Sequence, residues 1–190
     1  MARGALLSLA LFLSATYVAV AIAPAASPEG NLEALCKKTH DPNSCIRLLN
    51  PTISPSTQFN SLEWYRKVLS KSLSKAITAK NFMTKQVKGL DAKQQIALLD
   101  CVDKIDDSVE LLQQVSHEYL EMFKLKANEG FNYGWHKKNV QTLMDAATNE
   151  QEACYKSLEG RQDPMMLQVR DFVNNAYTAN KVVAEIVLDI

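Results

Sequence analysis

Residues 98–112 read LLDCVDKIDDSVELL, and the spacing of their apolar side chains decides the fold class. Leu98, Val102, Ile105, Val109 and Leu112 recur at alternating steps of four and three residues, which is the spacing of one face of an α-helix. The series continues through Ser116, Tyr119 and Phe123. Such a stripe is typical of the buried seam of packed helices, so the stretch predicts a long helix in a bundle.

Glycine and proline, which end helices, are absent from the interior of four long stretches of the chain. These cover 60–88, 91–128, 138–159 and 164–190, the last one beginning with a proline. The second, third and fourth stretches carry regular stripes, whereas Lys80 interrupts the stripe of the first. The stripe of the third stretch consists of Val140, Leu143 or Met144, Ala147, Gln151, Cys154 and Leu158, and that of the fourth of Met166, Val169, Val173, Ala176, Asn180, Val183, Val187 and Ile190. Because short connections force neighbouring helices to run antiparallel, we predict an all-α fold, an antiparallel up-down-up-down four-helix bundle over 60–190.

Residues 28–58 predict a different element, a helical hairpin that precedes the bundle. Each of its arms, NLEALCKKT and NSCIRLLN, is about two helical turns long, and isolated helices of that length are marginal in water. The stretch CKKTHDPNSC places Cys36 in one arm and Cys45 in the other, with His40 in the turn between them. A covalent link between the arms would hold such a hairpin together.

Three interpretations of this cysteine pair have to be compared. A zinc site would have three ligands at most, Cys36, His40 and Cys45, whereas structural zinc requires four. A redox pair is normally C-x-x-C, and eight residues separate these two cysteines. The spacing therefore favours a disulfide clip and predicts no metal site. Four cysteines can pair in three ways, and counting them does not choose between these. If Cys36 pairs with Cys45, then Cys101 pairs with Cys154.

The first 26 residues predict a secretory signal peptide. Arg3 precedes an apolar run from Ala5 to Ala23, and small residues in an A-x-A arrangement follow at 23–25. No second apolar run of that length exists, so we expect a mature domain over 27–190 with no membrane association. Removal of Arg3 leaves one cation fewer than the 21 acidic residues, and this balance argues against a nucleic-acid partner. Secretion in turn favours disulfides over thiols.

The sequence contains none of the common catalytic motifs, such as G-x-S-x-G, a P-loop or H-E-x-x-H, so we predict a protein that is not an enzyme and has no cofactor. Charge is instead patterned for binding: Asp100, Asp103, Asp107 and Glu110 share one face of the second bundle helix. One interpretation is an ordinary solvated face that complements the lysine-rich first bundle helix. The other is a surface that meets a basic partner and orients the encounter.

Four segments together resemble one known family. CKKTHDPNSC (36–45), LLDCVDKIDDSVELL (98–112), DAATNEQEAC (145–154) and VNNAYTANKVV (173–183) are similar to the signature segments of the plant invertase and pectin methylesterase inhibitor family. The resemblance extends over essentially the whole mature chain. It implies a four-helix bundle with an N-terminal helical hairpin, and the disulfides Cys36–Cys45 and Cys101–Cys154.

The resemblance also implies a function. Inhibitors of this kind are secreted to the apoplast and cell wall and cover the cleft of a pectin methylesterase in a 1:1 complex; acid invertase is the alternative target. The expected contacts lie on the second and third bundle helices, at Asp103, Asp107, Glu110, Thr148, Asn149 and Glu150. A structural or signalling bundle without an enzyme target is the remaining alternative.

The segment KANEGFNYGWHKKN (126–139) is predicted to be a loop before the third bundle helix. It lacks the Pro-Lys-Phe element that often marks the invertase branch of the family. Its aromatic residues, Phe131, Tyr133 and Trp135, either pin the loop to the end of the bundle or select the target.

Overall fold

The computed structural model describes residues 28–50, 61–125 and 131–188. These ranges contain six α-helices: α1 (Pro28–Cys36), α2 (Pro42–Leu49), α3 (Ser61–Gln86), α4 (Ala92–Lys124), α5 (Phe131–Ser157) and α6 (Pro164–Leu188). A 3-10 turn, Val87–Gly89, continues α3. The described part has no strand, so the prediction of an all-α fold is confirmed. The predicted signal peptide lies outside the described residues.

Helices α3, α4, α5 and α6 form the bundle, in which α3 and α5 each pack against both α4 and α6. Contacts reveal the relative direction of neighbours: Tyr65 of α3 stacks on Tyr119 of α4, while Lys80, later in α3, pairs with Asp106, earlier in α4. The same reversal relates the other neighbouring helices, in the pairs Cys101–Cys154 and Ser108–Gln151, Thr148–Asn180 and Tyr155–Tyr177, and Ser72–Asn180 and Phe82–Phe172. These contacts support the predicted up-down-up-down order.

Helix α4 starts as predicted, because Asp91 and Gln94 form a reciprocal capping box. Its buried face differs from the predicted stripe. Cys101, which is not a member of the predicted stripe, is fully buried, whereas Phe123, which is a member, is 44% exposed. The core side of α4 contains Leu98, Cys101, Ile105, Ser108, Val109, Leu112, Val115, Tyr119 and Met122. This face is broader than one stripe because α4 packs against both α3 and α5.

Helix α3 shows why Lys80 does not interrupt its seam. The buried side runs through small residues, Ser72, Ala76 and Ala79, before it reaches Met83. Lys80 lies at the edge of that face, where it forms an ion pair with Asp106 of α4. Small side chains at the seam allow close approach of the neighbouring helices, and the long lysine can reach across at the margin.

The stripes of α5 and α6 lie where the sequence places them. In α5 the buried positions of this stripe are Val140, Met144, Ala147, Gln151 and Cys154, and Leu158, directly after the helix, is buried as well. In α6 they include Met166, Val169, Val173, Ala176, Asn180, Val183 and Val187. Ile190, the last residue of the predicted stripe, lies outside the described residues.

The prediction of a loop over 126–139 is wrong from Phe131 onward, because α5 begins at that residue. Gly134 within this first turn has helical backbone and open space where a Cβ would lie. Tyr133 packs against the core, and Nδ1 of His136 lies 2.6 Å from Oε2 of Glu118 in α4. These side-chain contacts with α4 outweigh the low helix propensity of glycine.

The hairpin is formed by α1 and α2, and Cys36 is bonded to Cys45 between them. Oδ1 of Asp41 accepts a 3.0 Å hydrogen bond from the amide of Ser44 and caps α2, with Pro42 in the first turn. Helix α2 packs on α6, and the amide of His40 in the turn donates to Oε2 of Glu185. The hairpin is thereby attached to the bundle.

The second disulfide joins Cys101 of α4 to Cys154 of α5. Both cysteines are fully buried, and the described part of the chain has no unpaired cysteine. The two disulfides have the connectivity that the family resemblance implies.

Candidate functional site

The outer side of α4 presents four carboxylates, Asp100, Asp103, Asp107 and Glu110, all of them exposed. We call these residues the acidic face. They share one side of the helix because their steps of three and four residues match its turn, and the opposite side is fixed in the core by Leu98, Ile105 and other buried residues. The core packing therefore holds the acidic face toward solvent.

Three of the four carboxylates lack a cationic partner within the described ranges. Asp100 forms an ion pair with Lys104 one turn later, at 2.7 Å. Asp103, Asp107 and Glu110 make no ion pair with any described residue. The ion pair of Lys80 with Asp106 does cross from α3 to α4, so the complementary-helix interpretation accounts for that flank. The outward carboxylates take no part in this contact and face solvent.

Two exposed apolar residues adjoin the acidic face and were missed by the sequence analysis. Ile96 is 71% exposed and Leu99 is 46% exposed. We call them the apolar edge. Ile96 precedes Asp100 by four residues and Asp103 by seven, so the helical spacing could have identified it as part of the same surface. Ile96 and Leu99 thus place apolar surface next to the carboxylates of the acidic face.

Helix α5 contributes less to this surface than expected. Glu150 lies on the α4 side: the carboxylate of Asp100 raises the pKa of Lys104 above its ordinary value, and Glu150 and Asp103 add to that effect. Asn149 is exposed. The carboxylate of Glu150 is therefore close enough to the acidic face to extend its negative potential.

Thr148 is positioned differently from the other predicted contact residues. Its Oγ1 donates a 2.8 Å hydrogen bond to the carbonyl oxygen of Met144 and accepts one of 2.9 Å from Nδ2 of Asn180 in α6. The structure thus turns its hydroxyl toward α6, whereas Glu150 is on the α4 side. The six predicted residues do not form one continuous patch.

At the other end of the α4–α5 pair, Trp135 and Phe123 are 50% and 44% exposed. The Trp135 ring meets the ring of His136 edge-on, with centroids 4.8 Å apart. Tyr133 packs inward against the core, whereas Trp135 faces solvent.

Two further properties of the described residues bear on what this surface can do. The described residues contain no group of three or more His, Cys, Asp or Glu side chains arranged to hold a metal ion. None of the described helices is long and apolar enough to cross a membrane. Exposed carboxylates beside an apolar edge can steer and then anchor a basic protein partner.

Comparison with known proteins identifies the relatives of this chain. The family model described as plant invertase/pectin methylesterase inhibitor matches residues 30–188. The 21 kDa protein of Daucus carota is 30% identical over 153 residues, which cover 80% of this chain and 77% of that protein. Pectinesterase inhibitor 3 of Arabidopsis thaliana is 27% identical over 130 residues, which cover 67% of this chain and 62% of that protein.

The fold has a solved counterpart. The crystal structure of a pectin methylesterase inhibitor from Arabidopsis thaliana superimposes with a TM-score of 0.56 and 14% sequence identity, and the match covers 84% of this chain and 96% of that one. At this identity the likeness concerns the fold alone. The family model, in contrast, spans nearly all of the described residues. The chain belongs to the plant invertase/pectin methylesterase inhibitor family.

Proposed function

We propose that this protein is a secreted inhibitor that blocks the active-site cleft of a plant cell-wall pectin methylesterase by forming a 1:1 complex. The observation that carries the proposal is the acidic face of α4, whose carboxylates at Asp103, Asp107 and Glu110 make no ion pair with a described residue, beside the exposed Ile96. Members of this family inhibit enzymes, so the chain is not itself an enzyme.

Two parts of one surface, the acidic face and the apolar edge, would contribute to the blockade in different ways. Long-range attraction by unpaired carboxylates accelerates the encounter with a basic enzyme surface. Burial of Ile96 and Leu99 then supplies apolar contact area, about 25 cal/mol for each Å² removed from water. The disulfide between Cys101 and Cys154 and the packed seam hold α4 and α5 together, which lowers the entropy lost on binding.

Within this proposal the predicted contact residues receive separate roles. Asp103, Asp107, Glu110, Asn149 and Glu150 would contact the enzyme. Thr148 would instead position α5, because its hydroxyl is already bonded to Met144 and Asn180. Pectin methylesterase is the preferred target because three of the curated relatives are named pectinesterase inhibitors.

The decisive experiment titrates purified protein against a pectin methylesterase and against an acid invertase near pH 5–6. We expect loss of pectin methylesterase activity at one equivalent and a 1:1 complex on size exclusion. Inhibition of invertase alone would contradict pectin methylesterase as the target and identify the protein as an invertase inhibitor. Loss of neither activity would contradict the inhibitor function and favour a structural or signalling bundle.

Charge reversal tests the surface itself. Asp103→Lys with Asp107→Lys should weaken inhibition by roughly tenfold or more, mainly by slowing association, and the difference should shrink at high salt. Glu159→Lys with Asp171→Lys is the matched control, because both residues are exposed and lie outside α4. Ile96→Ala should weaken inhibition through faster dissociation. Equal loss in the control pair would assign the effect to net charge.

The proposal includes export of the chain. Residues 1–26 would be removed as a signal peptide, leaving an inhibitor domain over 27–190, with the hairpin at 28–58 and the bundle at 60–190, in the apoplast and cell wall. Expression of the full chain in plant cells, followed by N-terminal sequencing of the protein from the wall fraction, tests both points. A mature N-terminus at Met1, or retention inside the cell, would contradict them.

A further inference from the structure

The groove between α2, α3 and α6 lies on the side of the bundle away from the α4–α5 pair. It encloses about 380 Å³. A second hollow of about 240 Å³ adjoins it along α3 and α6, and the two share Lys71, Lys75 and Asn175. The disulfide-clipped hairpin provides one wall of the groove, because α2 packs on α6.

The groove is positively charged. Arg47 of α2 and Lys71 and Lys75 of α3 line it, and none of its described lining residues is acidic. Neither lysine makes an ion pair with a described residue. Nη2 of Arg47 donates a 3.0 Å hydrogen bond to Oγ of Ser44, which fixes one edge of the guanidinium, and its charge also acts on the carboxylate of Asp41 at the start of α2.

The remaining lining residues are not those of a simple anion site. Ala179 and Val182 of α6 are buried, and with Leu48 they form an apolar floor. Asn175 and Thr178 add neutral hydrogen-bonding groups beside the cations. An inorganic anion has no apolar surface to pack on such a floor. A sugar acid, in contrast, has apolar C–H faces, hydroxyl groups and a carboxylate in one molecule.

We propose that this groove binds a short stretch of an acidic polysaccharide whose sugars carry carboxylates, such as a polymer of galacturonic acid. Lys71 and Lys75 are one helical turn apart, so their Cβ atoms are separated by about 5–6 Å and can meet carboxylates of neighbouring sugars. Arg47 binds a carboxylate with a planar pair of donors. The groove lies opposite the acidic face, so polysaccharide and enzyme can be bound at once.

The test measures binding of a galacturonic acid oligomer by isothermal titration calorimetry at low salt. The matched ligand control is the fully methyl-esterified oligomer of the same length, which has the same sugar backbone without the charge. We expect binding of the acid oligomer, weakening with added salt, and none of the ester. Absence of binding, or equal binding of the ester, would overturn the proposal.

The protein variants are Lys71→Gln with Lys75→Gln, and as matched control Lys85→Gln with Lys88→Gln, which removes the same charge from an exposed part of the same segment. The first pair should weaken oligomer binding by roughly tenfold or more, and the control should leave it unchanged. Equal weakening by both pairs would show diffuse attraction and contradict a groove. Inorganic phosphate should not displace the oligomer at equal concentration; displacement would reduce the groove to a general anion site.

Enzyme inhibition separates this inference from the proposed function. The Lys71→Gln/Lys75→Gln variant should inhibit as well as the unaltered protein, since its substitutions lie on the other side of the bundle. Oligomer binding without any inhibition would leave the groove established and contradict the inhibitor function alone. Inhibition without oligomer binding would support the inhibitor function and contradict the polysaccharide-binding groove alone.

Discussion

Oγ of Ser72 in α3 donates a 2.9 Å hydrogen bond to Oδ1 of Asn180 in α6, and both side chains are fully buried. Asn180 in turn donates from Nδ2 to Oγ1 of Thr148 in α5. Three of the four bundle helices are thus joined by directional bonds within an apolar seam. Such bonds are satisfied at one relative position of the helices only, so they fix the register that apolar packing leaves open.

Replacing Asn180 by leucine should therefore destabilise the bundle. The substitution leaves the hydroxyl of Ser72 buried without a partner, and we expect a loss of about 2–3 kcal/mol in the free energy of unfolding. Urea denaturation followed by circular dichroism measures it. Asn175→Leu on the exposed side of the same helix is the control and should change little. A loss of the same size in the control would show that the destabilisation does not come from the buried hydrogen bonds.

A second buried hydrogen-bonded pair, Ser108 with Gln151, predicts that replacing both partners by apolar residues restores the stability that a single substitution loses. Nε2 of Gln151 donates a 2.7 Å hydrogen bond to Oγ of Ser108, while Oε1 of Gln151 has no partner in the described structure. Ser108→Ala alone should cost about 1–3 kcal/mol, because it leaves the amide nitrogen unpaired as well. Ser108→Ala with Gln151→Met should restore or exceed the original stability. A double variant no more stable than the single one would contradict this.

The two disulfides should differ in their contribution to stability. Cys101 and Cys154 are 53 residues apart and Cys36 and Cys45 are nine apart, so loop-closure entropy predicts losses of about 4 and about 3 kcal/mol when each pair is replaced by alanine. Urea denaturation of the two double variants gives the comparison. The first change should also loosen the α4–α5 surface and weaken inhibition, whereas the second should mainly free the hairpin. A larger loss from the hairpin pair would contradict the entropy argument.

The hairpin should be weakened by acid through Asp41. Hydrogen bonds from the hydroxyl and amide of Ser44 lower the pKa of the Asp41 carboxyl below its ordinary value of 3.8, and Arg47 adds to this. A carboxyl with a lowered pKa in the folded state stabilises above its unfolded pKa, and that contribution disappears as pH falls through the folded pKa. Protection of the Ser44 amide from hydrogen exchange should therefore decrease below about pH 4.

Asp41→Asn is the matched control for this acid effect. Asparagine caps a helix about as well as aspartate but does not titrate in this range, so the protection of the Ser44 amide should not depend on this group. An equal decrease in both proteins would assign acid sensitivity to another carboxyl.

Much of the fold follows from local patterns in the chain. The stripes of α5 and α6 were predicted residue by residue, because each of these helices keeps one regular apolar face. The stripe of α4 was shifted, since this helix is buried against two neighbours and Cys101 joins the core from what periodicity alone makes a flank. The beginning of α5 was missed because Gly134 and the aromatic residues around it favour a loop by local propensity.

The candidate surface shows the same limits. Helical spacing identified the acidic face of α4 without a structure, because positions on one helix are related by its geometry alone. The exposure of Ile96, the inward orientation of Thr148 and the groove beneath α2 depend on which helices are neighbours. Sequence spacing carries no information about which residues of separate helices, such as Arg47 and Lys75, line the same groove.

The sequence by itself determined that the chain forms helices, that its apolar stripes require them to pack together, and to which family it belongs. These properties are encoded in residue order, through the 3.6-residue period of the helix and the spacing of the cysteines. Only the tertiary structure decided which polar groups are buried and hydrogen-bonded inside the bundle, such as Ser72 with Asn180, and which remain exposed on its surface, such as Asp103. The reason is that burial is a property of packed neighbours, and these are brought together by folding rather than by proximity along the chain.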